Sequence, residues 1–162
     1  MNPLRQCWTI AKSIYLYLAY WLLGLTQEYS YIKKAYYFVD LHWYHRAIHN
    51  LKKVLRDSDD PHIHSLLGYC YSRIGTPFDS VEHYSKAHDK IRNPKTDLGL
   101  AISEFESGNI EKSEEIIEEV RRSNYSLDSH DVEALHGLET RIEMAKKGRK
   151  DLTHRIDELK WK

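Results

Sequence analysis

Residues 33 positions apart in this chain repeat one pattern three times. In the middle copy Leu67-Gly68 is followed by Tyr71, Gly75, Ser80, Tyr84 and Ala87. Adding 33 gives Leu100-Ala101, Gly108, Ser113, Ile117 and Val120; subtracting 33 gives Ala35, Phe38, Ala47, Leu51 and Val54. A period of this size with two helical stretches per copy is the signature of a solenoid, in which no copy buries its apolar face alone and neighbours must stack. Such a chain is built to hold something.

Local signals place two amphipathic helices in each copy. Asp59-Asp60-Pro61 starts a helix with an acidic cap and a proline in the first turn. Leu67, Gly68 and Tyr71 share one face, and Gly75 ends the helix where a left-handed backbone costs little. Thr76-Pro77 restarts the chain as cap and first helical residue. Val81, Tyr84, Ala87 and His88 follow at helical spacing until Asn93-Pro94 breaks the run.

This pattern resembles the tetratricopeptide repeat (TPR): Leu67-Gly68, Tyr71, Gly75, Ser80, Tyr84 and Ala87 stand at that family's large, small, aromatic and turn positions. The third copy has Glu104 at the aromatic place, and the first has His42 at the turn glycine. The resemblance covers roughly residues 28–122. It implies an all-α, right-handed helix-turn-helix solenoid of about three units, with 123–162 forming capping helices and a charged tail. Ala134 is still in phase, but Arg141 replaces the turn glycine and the rhythm fails. Leu152, Ile156 and Leu159 line one side of the last, charged stretch.

Ahead of the repeats, Cys7 to Leu25 is 19 residues long with Lys12 its one charge, close to the ~20 apolar residues that cross a bilayer. Trp8 and Trp21 stand toward its ends, as interfacial aromatics do. Segment 1–27 is therefore expected to be an apolar helix anchoring the chain in a membrane, with lipid contact at Trp8, Ile14, Leu18, Trp21 and Leu22. A second reading stays open. Stepping the repeat back once more lands on Ile14, Leu18 and Trp21, so the segment also fits a first-repeat helix buried in a partner or dimer. The lack of a polar outer face over 14–25 favours the anchor.

The family resemblance implies that the first helix of each pair lines a concave groove. Its ligand positions would include Tyr29, Ile32 and Tyr36, then Tyr69 and Arg73, then Ile102 and Phe105. That aromatic and aliphatic lining suits an apolar peptide or amphipathic helix. The Lys and Asn clamp with which one subclass holds acidic chaperone tails is missing, since Ile32 and Tyr36 stand there. A second candidate surface is the aromatic patch of Tyr36, Tyr37, Trp43 and Tyr44, close in sequence to the apolar run.

Charge and reactive residues exclude more than they suggest. Formal net charge is zero, so no global field draws the chain to nucleic acid. Locally, residues 1–54 hold seven Lys/Arg against Glu28 and Asp40, while 104–119 hold seven Glu against Lys112. The acidic stretch reads as a solvated face. Two cysteines, Cys7 and Cys70, make neither a disulfide framework nor a zinc pattern, and Cys70 reads as a small buried thiol. His42, His45 and His49 have helical spacing but no acidic or thiol co-ligand closer than Asp40, so no metal is expected. No phosphate loop, nucleophile elbow, HExxH or paired-carboxylate motif occurs.

The chain is thus expected to be a non-enzymatic scaffold or assembly factor without cofactor or small-molecule substrate. It would be anchored once in a bacterial or organellar inner membrane and bind proteins of a membrane complex. The alternative is a soluble adaptor or chaperone subunit whose first helix is covered by a partner.

Overall fold

A computed structural model describes residues 27–160 except 57 and 124, together with Tyr15; beyond Tyr15, side chains are described over 29–150. Trp8, Ile14, Leu18, Trp21 and Leu22 lie outside the described residues, as do the side chains of Leu152, Ile156 and Leu159. Among the described residues no helix is long and apolar enough to cross a membrane.

Seven helices are described: α1 (Gln27–Asp40), α2 (Tyr44–Val54), α3 (Pro61–Arg73), α4 (Pro77–His88), α5 (Pro94–Glu106), α6 (Ile110–Arg122) and α7 (Ser129–Lys160). They form helix-turn-helix pairs followed by one long helix. The chain divides into two compact units, one reaching Ile63 and the other beginning at His64.

The turns inside the pairs carry the 33-residue rhythm most clearly. His42, Gly75 and Gly108 have φ of 60°, 78° and 95°. At each, two backbone bonds close the helix end. His42, Gly75 and Gly108 N–H donate to Val39, Ser72 and Phe105 C=O, and Trp43, Thr76 and Asn109 N–H donate to Phe38, Tyr71 and Glu104 C=O. This is the Schellman geometry, which requires a left-handed residue at its penultimate position. Glycine meets that need twice and a histidine once.

In the first unit Ala35, Ala47 and Leu51 are fully buried and Val54 nearly so. In the second, the small positions do more than permit close approach. Ser80 Oγ donates to Gly68 C=O at 2.8 Å, and Ser113 Oγ, 33 residues on, donates to Ala101 C=O at 2.7 Å. Ser80 also lies 2.7 Å from Ser103 Oγ, which donates to Gly99 C=O. Each hydroxyl has one proton, so two of these three contacts around Ser80 and Ser103 are hydrogen bonds at any moment.

Tyr84, Leu98, Leu100, Ile117 and Val120 build the core of the second unit, and Leu135, Leu138 and Ile142 of α7 complete it. Asp128 caps α7, accepting Asp131 N–H at 2.8 Å. At Arg141, where the rhythm would require another turn, α7 runs on for 32 residues in all, about 48 Å.

Candidate protein-interaction surface

The expected ligand positions fall on the first helices of the pairs, but they are not equally open. In the first unit, Tyr29, Lys33, Tyr36 and Asp40 form an exposed stripe along α1, with Ile32 half-buried beside it. Tyr29 is 41 % and Tyr36 50 % exposed, and Lys33 Nζ lies 5.2 Å from the Tyr29 ring centroid. In the second unit Tyr69 is 38 % exposed on α3, and Arg73 stands one turn further along the same helix.

Ile102 and Phe105 are half-buried and pack on the core that α7 completes. The Arg141 guanidinium covers the Phe105 ring at 4.7 Å and lies 3.7 Å from Glu106. Much of the third-copy lining is therefore engaged by the chain itself. Tyr36 and Tyr69, 33 residues apart in equivalent positions, remain open.

Apart from buried Glu104 the acidic stretch is solvated, with Glu111, Glu118 and Glu119 more than half exposed, and it carries ion pairs at its surface. Lys146 and Arg149 of α7 reach back to Glu114 and Glu111, at 2.5 Å and 3.3 Å. Arg121 pairs with Glu139, and Arg92 with Glu119 at 2.8 Å. The hydrogen bond from Arg92 holds the Glu119 carboxyl below its ordinary range. Between α6 and α7 a shallow groove of about 210 Å³ is lined by Ile117 and Ile142 together with Glu114, Glu118 and Glu143.

Glu104 is the largest departure from pattern. It is 0 % exposed, at the place Tyr71 holds in the preceding pair. Lys112 Nζ lies 2.6 Å from Oε1, although outside hydrogen-bonding geometry, and Asn109 Nδ2 donates to Oε2 at 2.7 Å. The carboxylate thus ties α5 to the start of α6. A charged residue in a sequence reads as surface, and only its phase with Tyr71 hints otherwise.

Four further polar contacts join residues too distant in sequence to be foreseen. Asp97, 2 % exposed, lies 2.7 Å from His88 Nδ1 and accepts the Tyr125 hydroxyl at 2.9 Å. Burial and that bond raise the Tyr125 pKa. Among the described residues no hydroxyl or thiol reaches the far side of His88, so this is a structural tie without a nucleophile. Buried His64 meets His83 through Nδ1 atoms 2.9 Å apart, with Tyr71 stacked on His83. Ser65 and Thr96 hydroxyls meet at 3.0 Å.

His42, expected to share a helix face with His45 and His49, instead sits in the turn, its Nδ1 2.8 Å from the Tyr44 hydroxyl. The left-handed backbone needed to close α1 takes it off the helical spacing. His45 and His49 are exposed on α2. Among the described residues the one group of three converging donors is Asp128, His130 and Asp131, where Asp128 is already the helix cap and lies 3.4 Å from Lys95. Cys70 is fully buried, which pushes its thiol up to about 12 and leaves it inert as a nucleophile at neutral pH.

No family model and no curated protein sequence matches this chain. Solved structures do. The Sgt2 TPR domain from Aspergillus fumigatus superposes with a TM-score of 0.64 at 17 % identity, over 77 % of this chain and 85 % of that one. Yeast Tom70 gives 0.62 at 22 % identity, over 76 % of this chain and 26 % of that one. At such identities the likeness is one of fold, and the fold is a TPR-like helical repeat.

Proposed function

We propose that this chain is a non-enzymatic adaptor that binds partner proteins through the first helices of its pairs. It acts beside a membrane, where its N-terminal apolar segment holds it. The observation that carries the reading is that Tyr36 in the first unit and Tyr69 in the second are each open. Large aromatic rings at equivalent positions of successive pairs stay 50 % and 38 % exposed, on faces of α1 and α3 away from buried Ala35 and Leu67. Tyrosine presents a large, stiff, amphipathic surface at low entropic cost, which is why it is enriched where proteins meet. The surface suits an apolar or amphipathic peptide segment. The TPR-like fold adds support, since a repeat of this kind offers extended contact area.

Membrane attachment rests on the sequence of 7–25 and would raise the local concentration of the adaptor at its target. A partner that is part of a membrane complex, in a bacterial or organellar inner membrane, follows from the same segment. Affinity purification in mild detergent, comparing the full chain with a Tyr36→Ala, Tyr69→Ala variant, tests the binding surface. Loss of captured proteins with unchanged thermal stability is expected, and equal capture would refute the reading. Carbonate washing tests attachment separately. Retention in the pellet is expected, whereas release would favour the soluble adaptor with its first helix covered by a partner.

A further inference from the structure

The turn between α1 and α2 departs from its two counterparts. Where the later turns carry Gly75-Thr76 and Gly108-Asn109, this one carries His42-Trp43. A histidine at φ 60° occupies a conformation that glycine adopts without steric cost. Trp43 stands at the helix start with no side-chain capping bond, where Thr, Asn, Ser or Asp is the stabilising choice. Local rules broken at adjacent residues mark places where something other than stability is served.

The turn's own packing accounts for part of the indole. Phe38 stacks on it with centroids 6.0 Å apart, giving the apolar contact that accompanies this kind of helix end. Yet Trp43 stays 43 % exposed, a large apolar area for a turn that a smaller side chain would close. The Arg46 guanidinium lies 4.8 Å from the Trp43 ring centroid and is itself exposed. An open indole with a cation held on it is amphipathic at one point.

Two further observations say what covers it. Over residues 28–60 Lys33, Lys34, Arg46, Lys52, Lys53 and Arg56 are nearly balanced by Glu28, Asp40, Asp57, Asp59 and Asp60, but α2, which the turn opens, holds Arg46, Lys52 and Lys53 with no acidic residue. Lys33, Arg46 and Lys52 are exposed. The apolar run ends at Leu25, two residues before α1, and α1 is 14 residues, or about 21 Å, long. With the residues on either side of α1 added, a chain leaving a bilayer at that point carries the turn at most about 35 Å from the surface it left, and α1 lying along the surface returns the turn to it.

We infer that the Trp43–Arg46 turn is a lipid-contacting tip that seats its indole in the interface of an anionic bilayer. Tryptophan concentrates at that depth, and the guanidinium is placed for phosphate oxygens. The inference rests on the membrane location proposed above and assigns a second point of attachment that uses neither Tyr36 nor Tyr69.

The full chain with vesicles of phosphatidylcholine, with and without about a third phosphatidylglycerol, tests it. Trp43 emission is taken as the difference between the full chain and Trp43→Phe, which keeps a ring on Phe38 and whose fold is checked by circular dichroism. Acrylamide quenching of Trp43 is expected to fall about threefold on the anionic vesicles, to change little on the neutral ones, and to recover at about 1 M salt. Arg46→Gln should remove most of the anionic preference. Cosedimentation without shielding of Trp43 would overturn the tip while leaving membrane attachment intact. Equal shielding on both vesicles would overturn the anionic requirement, and shielding seen only with an added protein would overturn the lipid assignment. Failure to sediment with either vesicle would remove both the tip and the membrane location.

Discussion

The ring of Tyr84 stands in the space that a side chain at Gly99 would need, and its other edge lies against Gly68. A Cβ on Gly68 would come within 2.7 Å of the ring Cγ, and one on Gly99 within 2.7 Å of the hydroxyl oxygen. One tyrosine from α4 thus keys into glycines of α3 and α5 in the second unit. Its burial holds the phenol neutral well above the usual tyrosine range.

Gly68→Ala is therefore expected to destabilise even though alanine is the better helix former. Overpacking costs about 1–3 kcal/mol against a propensity gain of about 1 kcal/mol. Gly99→Ala should behave alike. In a double-mutant cycle with Tyr84→Leu, measured by urea denaturation, the cost of either alanine should largely vanish; additive effects would show that the tyrosine is not the obstacle.

The turns make a prediction about the backbone alone. A Cβ at Gly75 or Gly108 meets nothing within 4 Å, so substitution there tests conformation without crowding. Gly75→Ala and Gly108→Ala should each cost about 1 kcal/mol. His42→Gly should exceed His42→Ala by the same amount, since both lose the Tyr44 contact and differ only in φ. Thermal melts of the four variants check this, and a His42 pair of equal stability would deny that the backbone there is strained.

Much of the fold was legible because its determinants are local or periodic. Gly75 and Gly108 announce left-handed turns, Pro61 and Pro77 announce helix starts, Pro94 announces a helix break, and Ser80 and Ser113 recur where helices meet. What stayed hidden depends on contacts between distant residues. Gly99 is out of phase with Gly68 and carries no signal until Tyr84 is seen against it. Glu104 reads as surface until Lys112 and Asn109 close on it. The α6–α7 ion pairs join residues 32 and 38 apart, so the partners of the solvated acidic run carried no sequence signal. The candidate ligand positions were legible; that Phe105 lies under Arg141 while Tyr36 and Tyr69 stay open was not.

Glu104 offers a third test. Removing one partner of a buried pair leaves an uncompensated charge, whereas replacing the buried charge by an apolar residue can be nearly neutral. Lys112→Met should destabilise by about 1–3 kcal/mol, discounted from the fully buried case because the ammonium is half exposed. Adding Glu104→Leu to that variant should recover most of the loss. If the double variant is weaker than Lys112→Met alone, the Asn109 bond outweighs the charge pair.

Cys70 sets a pH dependence on the alkaline side. Its thiol ionises near 9.0 when exposed and near 12 in the folded chain, because burial disfavours the thiolate. The folded state is then the tighter proton binder. The contribution is complete below about pH 9 and is lost as pH rises toward 12, at up to about 1.4 kcal/mol per pH unit. Between pH 9 and 10, before the raised Tyr84 phenol adds its own slope, Cys70→Ala should flatten the fall in urea midpoint. An unchanged slope would place the alkaline loss elsewhere.

The open aromatics give the last prediction. Tyr36→Ala and Tyr69→Ala remove rings that are 50 % and 38 % exposed, so each should shift thermal stability by no more than about 1 kcal/mol. At an interface a truncated aromatic anchor costs about 2 kcal/mol or more, roughly a thirtyfold loss of affinity. Phe105→Ala should reverse this balance, since its ring is packed on the core and covered by Arg141. Melting curves and binding isotherms for the same three variants separate the roles. Two tyrosine variants that bind normally while Phe105→Ala does not would move the partner's footprint from α1 and α3 to α5.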